Sequence, residues 1–521
     1  MLCSGLHALI EQGATKTNAL KLIHGVEIDR DEAQKAVCRL EETVGNVDAS
    51  TIQIGDFFAY CKAHLNDKRL FDAIIGNPPF IRYQNFAEEQ REPAFELMRR
   101  AGLRPNKLTN MWVPFLVASS FLLNPHGRLA MVIPAELLQV NYASELRQFL
   151  SSYYNKLTLI TFKKLIFEGI QQEVILLLGE RNGDGRTGIR TIELESIREL
   201  ESYKHTDFSS SELKPMDHSK EKWTQYFLTR KEIELLRSLE GHPLLKKAKE
   251  FIAVDVGIVT GQNDFFVLTD EQIKNEGIEP FHTQRIVARS NHLKGIVFTE
   301  DDWLRNAEKN LSCYLLDFPK VPSRQLPTEL RRYVRKGEIA GAHTGYKCRI
   351  RDPWYTVPSV WAPSAFMLRQ THSYPRIIVN SATATSTDTI HRVRILNGTP
   401  VRAFAAAFLN SLTFAFAEVI GRSYGGGVLE LEPNEAEALP VPVSGAENLS
   451  FTAIHDELVK HDNINTILDT TDRVLLVEGL GLSTSDAKTV RGVWEKLRNR
   501  RIHRKHGKTA AAASSVVAVY R

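Results

Sequence analysis

Residues 71–84 read FDAIIGNPPFIRYQ (Phe71–Gln84). Phe71, Ala73, Ile74 and Ile75 form the apolar run of a buried strand, and Gly76 ends it. An amide, two prolines and an aromatic ring follow at once, as Asn77, Pro78, Pro79 and Phe80. A strand that only had to stop would do so with Gly or Asp alone. Asn77 offers a side-chain oxygen and Pro78 a backbone carbonyl, both acceptors. Proline has no N–H and a fixed φ, so the pair holds its carbonyls in a rigid, outward-turned loop. Phe80 adds a flat face on which a base can stack. The set describes a clamp for an amino group conjugated to an aromatic ring, acting by position and electrostatics. The plain alternative is a turn that happens to contain Pro-Pro.

Outward from this stretch, strand-like and helix-like patterns alternate up to about Arg186, from KLIHGVEID and TIQIGDFF to LTLITF and EVILLLGE. Strands separated by helices predict an α/β fold with a parallel, doubly wound sheet. Ligands in such sheets sit at the carboxyl ends of strands. Glu27 ends one strand, where an acid suits ribose hydroxyls. Asp56 ends the next, where a carboxylate suits an adenine amino group and Phe57 can cover the ring. In isolation, Glu27 also reads as a surface acid and Asp56 as a helix N-cap. With Asn77 they follow three successive strands and would converge on one crevice.

The chain has 521 residues, enough for two to three domains, with 43% apolar and 25% charged residues, an ordinary globular composition. A net charge of +4 permits a polyanionic partner without requiring one. Cys3, Cys38, Cys61, Cys313 and Cys348 are odd in number and scattered, which argues for a reducing cytoplasm and against a disulfide frame or metal site. No apolar run approaches the ~18 residues of a membrane span. Composition places an α/β domain at 1–186, closed by the Gly-rich ERNGDGRTG, and a linker at 187–250. A region of short strands and turns at 251–445 follows, then a basic helical extension at 446–508. A tail at 509–521 is expected to fray.

GVEID, GDFF and NPPF, in this order and spacing, resemble the ribose, adenine and catalytic motifs of gamma-class N6-adenine DNA methyltransferases. These are S-adenosylmethionine-dependent enzymes of restriction–modification systems. The resemblance continues through NMWVPFLVASSFLL, GRLAMVIPAELL and KLIFEGIQQEV. It implies a Rossmann-like catalytic domain followed by a mixed α+β target-recognition domain. It implies that Glu27 and Ile28 contact the ribose and adenine of S-adenosyl-L-methionine, and that Asp56 and Phe57 hold its adenine. Asn77, Pro78, Pro79 and Phe80 would take the target adenine, and Phe167 would pack on that base from its other side. Asn110 is either the N-cap of its helix or a residue near the cofactor. A paired adenine cannot reach such a clamp, so it must be flipped out of the duplex at a cost of a few kcal/mol. Region 251–445 resembles the family's target-recognition region, with Lys347, Arg376, Arg392, Arg394 and Arg422 available for phosphates or guanine edges. Gly425, Gly426 and Gly427 permit close approach to DNA or to another loop, and the basic run Arg491–Lys508 suits phosphates or plain solvation. Double-stranded DNA is the implied partner, with a cognate restriction endonuclease beside it.

The chain departs from the family at its start. The family's first strand ends in a glycine loop; here Glu27 follows Gly5 by 22 positions, near the roughly 20 expected between such a loop and its ribose acid. CSGLHALI is therefore read as the remnant of that loop, with Gly5 as a cofactor contact. The chain is therefore expected to be truncated at its N-terminus, because the start is placed too late, the gene is disrupted or another chain supplies the missing strand, and cofactor binding is expected to be weak. Three other readings remain beside the main one. They are an RNA or protein amide N-methyltransferase, a bifunctional enzyme that also cleaves DNA, and a DNA-binding remnant without activity.

Overall fold

The computed structural model describes residues 1–503 apart from 49–50, 69, 87, 108, 164–172, 182–184, 204–207, 209, 219–220, 425 and 462. The described residues form two compact units, Met1–Phe227 and Leu228–His503.

The first unit opens with helices α1 (Leu2–Glu11) and α2 (Lys16–Lys21), then alternates β1 (Gly25–Glu27), α3 (Arg30–Val44), β2 (Ile52–Ile54), α4 (Phe57–Asn66) and β3 (Phe71–Gly76). It continues through α5 (Glu88–Arg100) and α6 (Trp112–Phe121) to β4 (Leu123–Pro134), β5 (Lys156–Phe162), β6 (Val174–Glu180) and β7 (Gly188–Leu194). Gly5 lies inside α1, where its N–H donates to the Met1 carbonyl at 3.0 Å, and not in a loop. The apolar positions Leu2, Leu6, Leu9 and Ile10 recur at helical spacing, and Leu6 is fully buried in a small core with Ala19, Ala33, Leu40 and Ile52. That periodicity outweighs one glycine.

β1 and β2 pair in parallel as a sheet of two, while β3-β4-β6-β5-β7 form a sheet of five. β3 is parallel to β4 and β5 to β7, but β6 runs antiparallel to both of its neighbours. The expected all-parallel sheet is therefore mixed. Residues 163–173 join β5 to β6, and that span is too short for the crossover of a dozen or more residues that a parallel return needs. β5, KLTLITF, is buried at every position, as a strand covered on both faces should be. The unit also extends past residue 186. β7 completes the sheet, Ile189 and Lys214 exchange backbone hydrogen bonds of 2.8 Å, and Trp223 and Tyr226 are buried. Residues 187–227 had the polar, glycine-flanked texture of a linker, yet GIRTIEL supplies a strand's alternation.

The second unit begins with the helix Arg230–Glu240, capped reciprocally by Thr229 and Glu232. Its main sheet orders the strands Val297–Phe298, Ile377–Asn380, Ala365–Leu368, Ile390–Ile395 and Ile252–Asp255. A second sheet joins Val267–Leu268, Tyr314–Leu316, Thr283–Val287 and Thr385–Ser386. The helices Phe451–Lys460, Ile464–Thr471 and Thr484–Ile502 belong to this same unit. No single helix among the described residues is long and apolar enough to cross a membrane.

The last helix docks through a buried ion pair. Arg501 donates from Nη2 to Glu418 Oε1 at 2.6 Å and from Nε to Oε2 at 2.9 Å, in the bidentate geometry of a strong charge-assisted pair. Arg501 also donates to the His372 and Gly427 carbonyls, and Gly427, at φ +75°, lets Ile502 Cα come within 3.0 Å of where a Cβ would be. Burial pushes the Glu418 carboxyl above its ordinary value even with Arg501 bound to it. Arg501→Ala is expected to destabilise this unit by about 3–5 kcal/mol, because it leaves a carboxylate buried and unpaired. Urea unfolding followed by tryptophan fluorescence measures this; a loss below about 1 kcal/mol would contradict the pairing argument.

Candidate functional site

The first unit packs the elements that carry the three sequence-marked strand ends on one core, shared by Val26, Phe57, Phe71, Ile74 and Ile81, while among the described residues no hydrogen bond joins Glu27, Asp56 and Asn77. Glu27 ends β1 opposite Ile54 of β2, and the Gly55 N–H donates to the Glu27 carbonyl at 2.9 Å. Glu27 Oε1 accepts from the Asp29 N–H at 3.0 Å, and Asp29 in turn caps α3 by accepting from the Asp31 and Glu32 N–H groups. The acid is half-buried, and its second oxygen has no hydrogen bond from the described residues. Ile28 beside it is 62% exposed.

Asp56 is the N-cap of α4, with Oδ1 accepting from the Ala59 N–H at 2.8 Å. Its Oδ2 accepts from Gln90 Nε2 of α5, also at 2.8 Å. Both oxygens already have partners within the chain. Phe57 is stacked on Phe115 of α6, with centroids 4.9 Å apart and planes 8° from parallel, so one ring face is occupied. At the opposite end of the strands, the rings of His24 and Phe71 lie 5.8 Å apart. Thus β1 and β3 are neighbours, although among the described residues no ladder joins them.

The loop after β3 differs in kind. Asn77 is exposed, and among the described residues its side chain has no hydrogen-bond partner. Pro78 behind it is buried, while Pro79 and Phe80 are half-buried. Phe80 has no aromatic partner among the described residues, unlike Phe57, Phe58 and Phe86 of the adjoining core. The chain beyond is pinned: the Met111 N–H donates to the Ile81 carbonyl at 2.8 Å, and Arg82 bridges to Asn110. β3 itself is unusually open for a strand in a parallel pair, with Ile75 49% exposed.

The structure also places side chains that sequence reasoning missed or misread. Asn110 is not a cap, since Met111 occupies the N-cap of α6 and no side chain caps there. Its Oδ1 is buried without a hydrogen-bond partner among the described residues, an unsatisfied acceptor beside the loop. Gln90 and Phe115 were missed; nothing in sequence marks the amide that reaches Asp56 or the ring that backs Phe57.

Phe167 lies outside the described residues. Arg376 is half-buried and donates to the Leu293 carbonyl, and Arg422 pairs with the buried Glu435 at 3.1 Å. Arg392 is buried against Trp361 and donates to the Val256 and Ser359 carbonyls, while Arg394 pairs with Asp255. Arg376, Arg392 and Arg422 are built into the fold, while Arg394 makes an exposed surface pair. In the terminal helix Arg491 pairs with Asp469, and Lys496 pairs with Glu232 at 3.0 Å.

These environments predict contrasting stability effects at two site residues. Asn77→Ala, which removes no internal hydrogen bond, should change unfolding free energy by less than about 0.5 kcal/mol. Asp56→Ala, which removes a cap and the Gln90 bond, should cost about 1–2 kcal/mol. Paired chemical denaturation curves of the two variants measure the contrast, and equal effects would refute it.

Comparison with known proteins bears on both units. Residues 11–167 match the family described as Eco57I restriction-modification methylase. Residues 220–476 match the C-terminal domain family of type II methyltransferase M.Eco57I. The type II methyltransferase M.AccI of Acinetobacter calcoaceticus is 22% identical over 385 residues, covering 71% of this chain and 68% of that protein. M.XamI of Xanthomonas campestris pv. amaranthicola is 23% identical over 418 residues, covering 78% and 73%. Among solved structures, the type IIL restriction-modification enzyme MmeI in complex with DNA shares the fold, with a TM-score of 0.53 at 13% identity over 92% of this chain and 66% of that one. With one family's models matching both units, the chain belongs to the type II restriction–modification methylases.

Proposed function

We propose that the chain transfers a methyl group from S-adenosyl-L-methionine to the N6 amine of an adenine flipped out of duplex DNA, as the modification partner of a cognate restriction endonuclease. The observation that carries this reading is the unspent acceptor at the end of β3: Asn77 is exposed, has no internal hydrogen bond among the described residues, and stands beside two prolines and an unstacked Phe80. Asn77 Oδ1 and the Pro78 carbonyl would accept the two N–H bonds of the amine. That keeps the lone pair on nitrogen and out of the ring, where it can attack. Phe80 would hold the base plane, and rigid prolines would keep the acceptors from relaxing toward water.

The residues fit the cofactor. Glu27 has one oxygen free of described partners, Asn110 Oδ1 is buried and unsatisfied, and the Asp56–Gln90 bond is one that a ligand amine could replace. Glu27, Ile28, Asp56 and Phe57 would hold it, and its sulfonium supplies an electrophilic methyl group. Asn110 is added to this set by its orphaned acceptor. Among the described residues β1 pairs only with β2 and β3 only with β4, so each has an unpaired edge to which a further strand could add. Isothermal titration should then show weak cofactor binding to this chain alone, and tight binding would remove the need for that strand.

Incubation with labelled cofactor and separate pools of duplex DNA, RNA and protein tests the activity. Label is expected in DNA as N6-methyladenine; label confined to RNA or protein would sink the reading. Asn77→Ala should lower the transfer rate by about 10²–10³-fold with duplex affinity preserved. Full activity in that variant would refute the clamp.

A further inference from the structure

The loop that leaves the strand Ile252–Asp255 is locked to two turns far along the chain. Gly257 is threaded so closely that a Cβ there would lie 1.9 Å from the Thr387 carbonyl oxygen. Ile258 is buried, and its N–H donates to the Ser386 carbonyl at 2.7 Å. Arg351 then donates from Nη1 to the Thr260 carbonyl at 2.7 Å and from Nη2 to the Val259 carbonyl at 2.6 Å. Gly261, at φ +82°, would place a Cβ 2.6 Å from Lys347 Cβ, so a side chain is excluded by both conformation and space. Thr260 Oγ1 donates to Asn263 Oδ1 and accepts from the Gln262 N–H. The loop Gly257–Asp264 and the turn Gly345–Arg351 therefore form one rigid piece.

What this piece presents is exposed. Gln262 and Asn263 stand on the loop, and Tyr346 (64% exposed), Lys347, Arg349 and Ile350 (60% exposed) stand on the turn. Lys347 Nζ lies 5.7 Å from the Tyr346 ring, and neither Lys347 nor Arg349 meets a carboxylate among the described residues. The exposed carboxylates nearby in sequence are Asp264 and Asp352; Glu338 accepts from Trp354 Nε1. Of the seven Lys or Arg in residues 331–351, Lys336 pairs with Glu276 and Arg331, Arg332 and Arg351 donate to backbone carbonyls, which sets Lys347 and Arg349 apart from them. The basic terminal helix differs, because Arg491, Lys496 and Arg501 there are committed to carboxylates.

We infer that the platform formed by loop Gly257–Asp264 and turn Gly345–Arg351 is where the second unit grips and reads duplex DNA. This rests on the DNA methylation reading above and names the residues that would select the site. Lys347 and Arg349 meet phosphates or guanine edges, and Gln262 supplies the amide that pairs bidentately with adenine in the major groove. Tyr346 and Ile350 give apolar contact for a thymine methyl or an opened base step. Arg351 is a positioning residue: it fixes the loop carbonyls so that little conformational entropy is lost when DNA binds.

The test uses the full chain and a fluorescent pool of random-sequence duplexes, each about four helical turns long, with anisotropy read over a salt series. Lys347→Ala/Arg349→Ala should weaken binding at least tenfold at low salt and reduce the slope of log affinity against log salt by about 1.8, roughly 0.9 for each phosphate no longer neutralised. Gln262→Ala should leave pool affinity within about twofold while bound-fraction sequencing shows relaxed preference at one position of the site. Circular dichroism and melting of each variant should match the parent, because these side chains are exposed. If the parent binds duplex but the double variant binds with unchanged affinity and salt slope, the platform is wrong and the methylation reading stands. If the parent neither binds duplex nor labels it, the platform and the methylation reading fall together.

Discussion

A loop can hold a ligand amine only if its own acceptors are not already spent on the chain. Most acceptors in a folded protein are spent, because leaving one buried and unpaired costs about 1–3 kcal/mol. Asn77 escapes that cost by being exposed, and Pro78 and Pro79 keep the surrounding backbone from closing over it. The rest of the first unit can be read as the means of keeping this loop still. β3 is held by β4 on one side, the chain after Phe80 is pinned to Asn110 and Met111, and Arg91 lies over the Tyr83 ring at 4.7 Å while donating to the Phe86 carbonyl. Phe58, Phe86, Phe95 and Phe115 fill the space beneath.

The acids upstream obey a different economy. Asp56 must cap α4, and Glu27 braces the Asp29 cap of α3, so each performs a structural task at the strand end where a ligand would arrive. The two readings considered for Asp56, helix cap and adenine partner, are therefore not exclusive. A cap uses one oxygen, and the other is held by Gln90 at 2.8 Å in the absence of a competitor. Asn110 is the complementary case: a buried acceptor with no described partner, adjacent in the chain to Met111 at the N-cap position of α6.

Much of this was legible in the sequence because it is local. The strand-Gly-Asn-Pro-Pro-Phe run, the order of Glu27, Asp56 and Asn77, and the α/β alternation are all set by neighbours within a few residues. What was not legible depends on distant partners. Arg422 looks like a free cation until Glu435 meets it, and Arg501 until Glu418, far back in the chain, closes on it in the core. The direction of β6 followed from a connection length whose consequence shows only once β5 and β4 flank it. Gly5 was misassigned for a related reason: a glycine suggests a loop, but the spacing of Leu2, Leu6, Leu9 and Ile10 makes a helix, and a helix tolerates one glycine at roughly 1 kcal/mol.

The same distinction between spent and unspent groups applies to the cations of the second unit. An arginine buried against Trp361, or hydrogen-bonded to backbone carbonyls, cannot also neutralise a phosphate without giving up bonds that the fold relies on. Net charge is thus a poor guide to where a polyanion binds, and Arg491, Lys496 and Arg501 of the terminal helix are spent in that sense. Lys347 and Arg349 are few, but they are exposed, they meet no described carboxylate, and they sit on backbone fixed by Arg351 and by a glycine that no side chain could replace. Rigid support with free functional groups is also the arrangement at Asn77. On the function proposed above, the chain has two polar tasks, holding one amine and choosing one sequence, and each requires hydrogen-bonding groups that the fold positions without using.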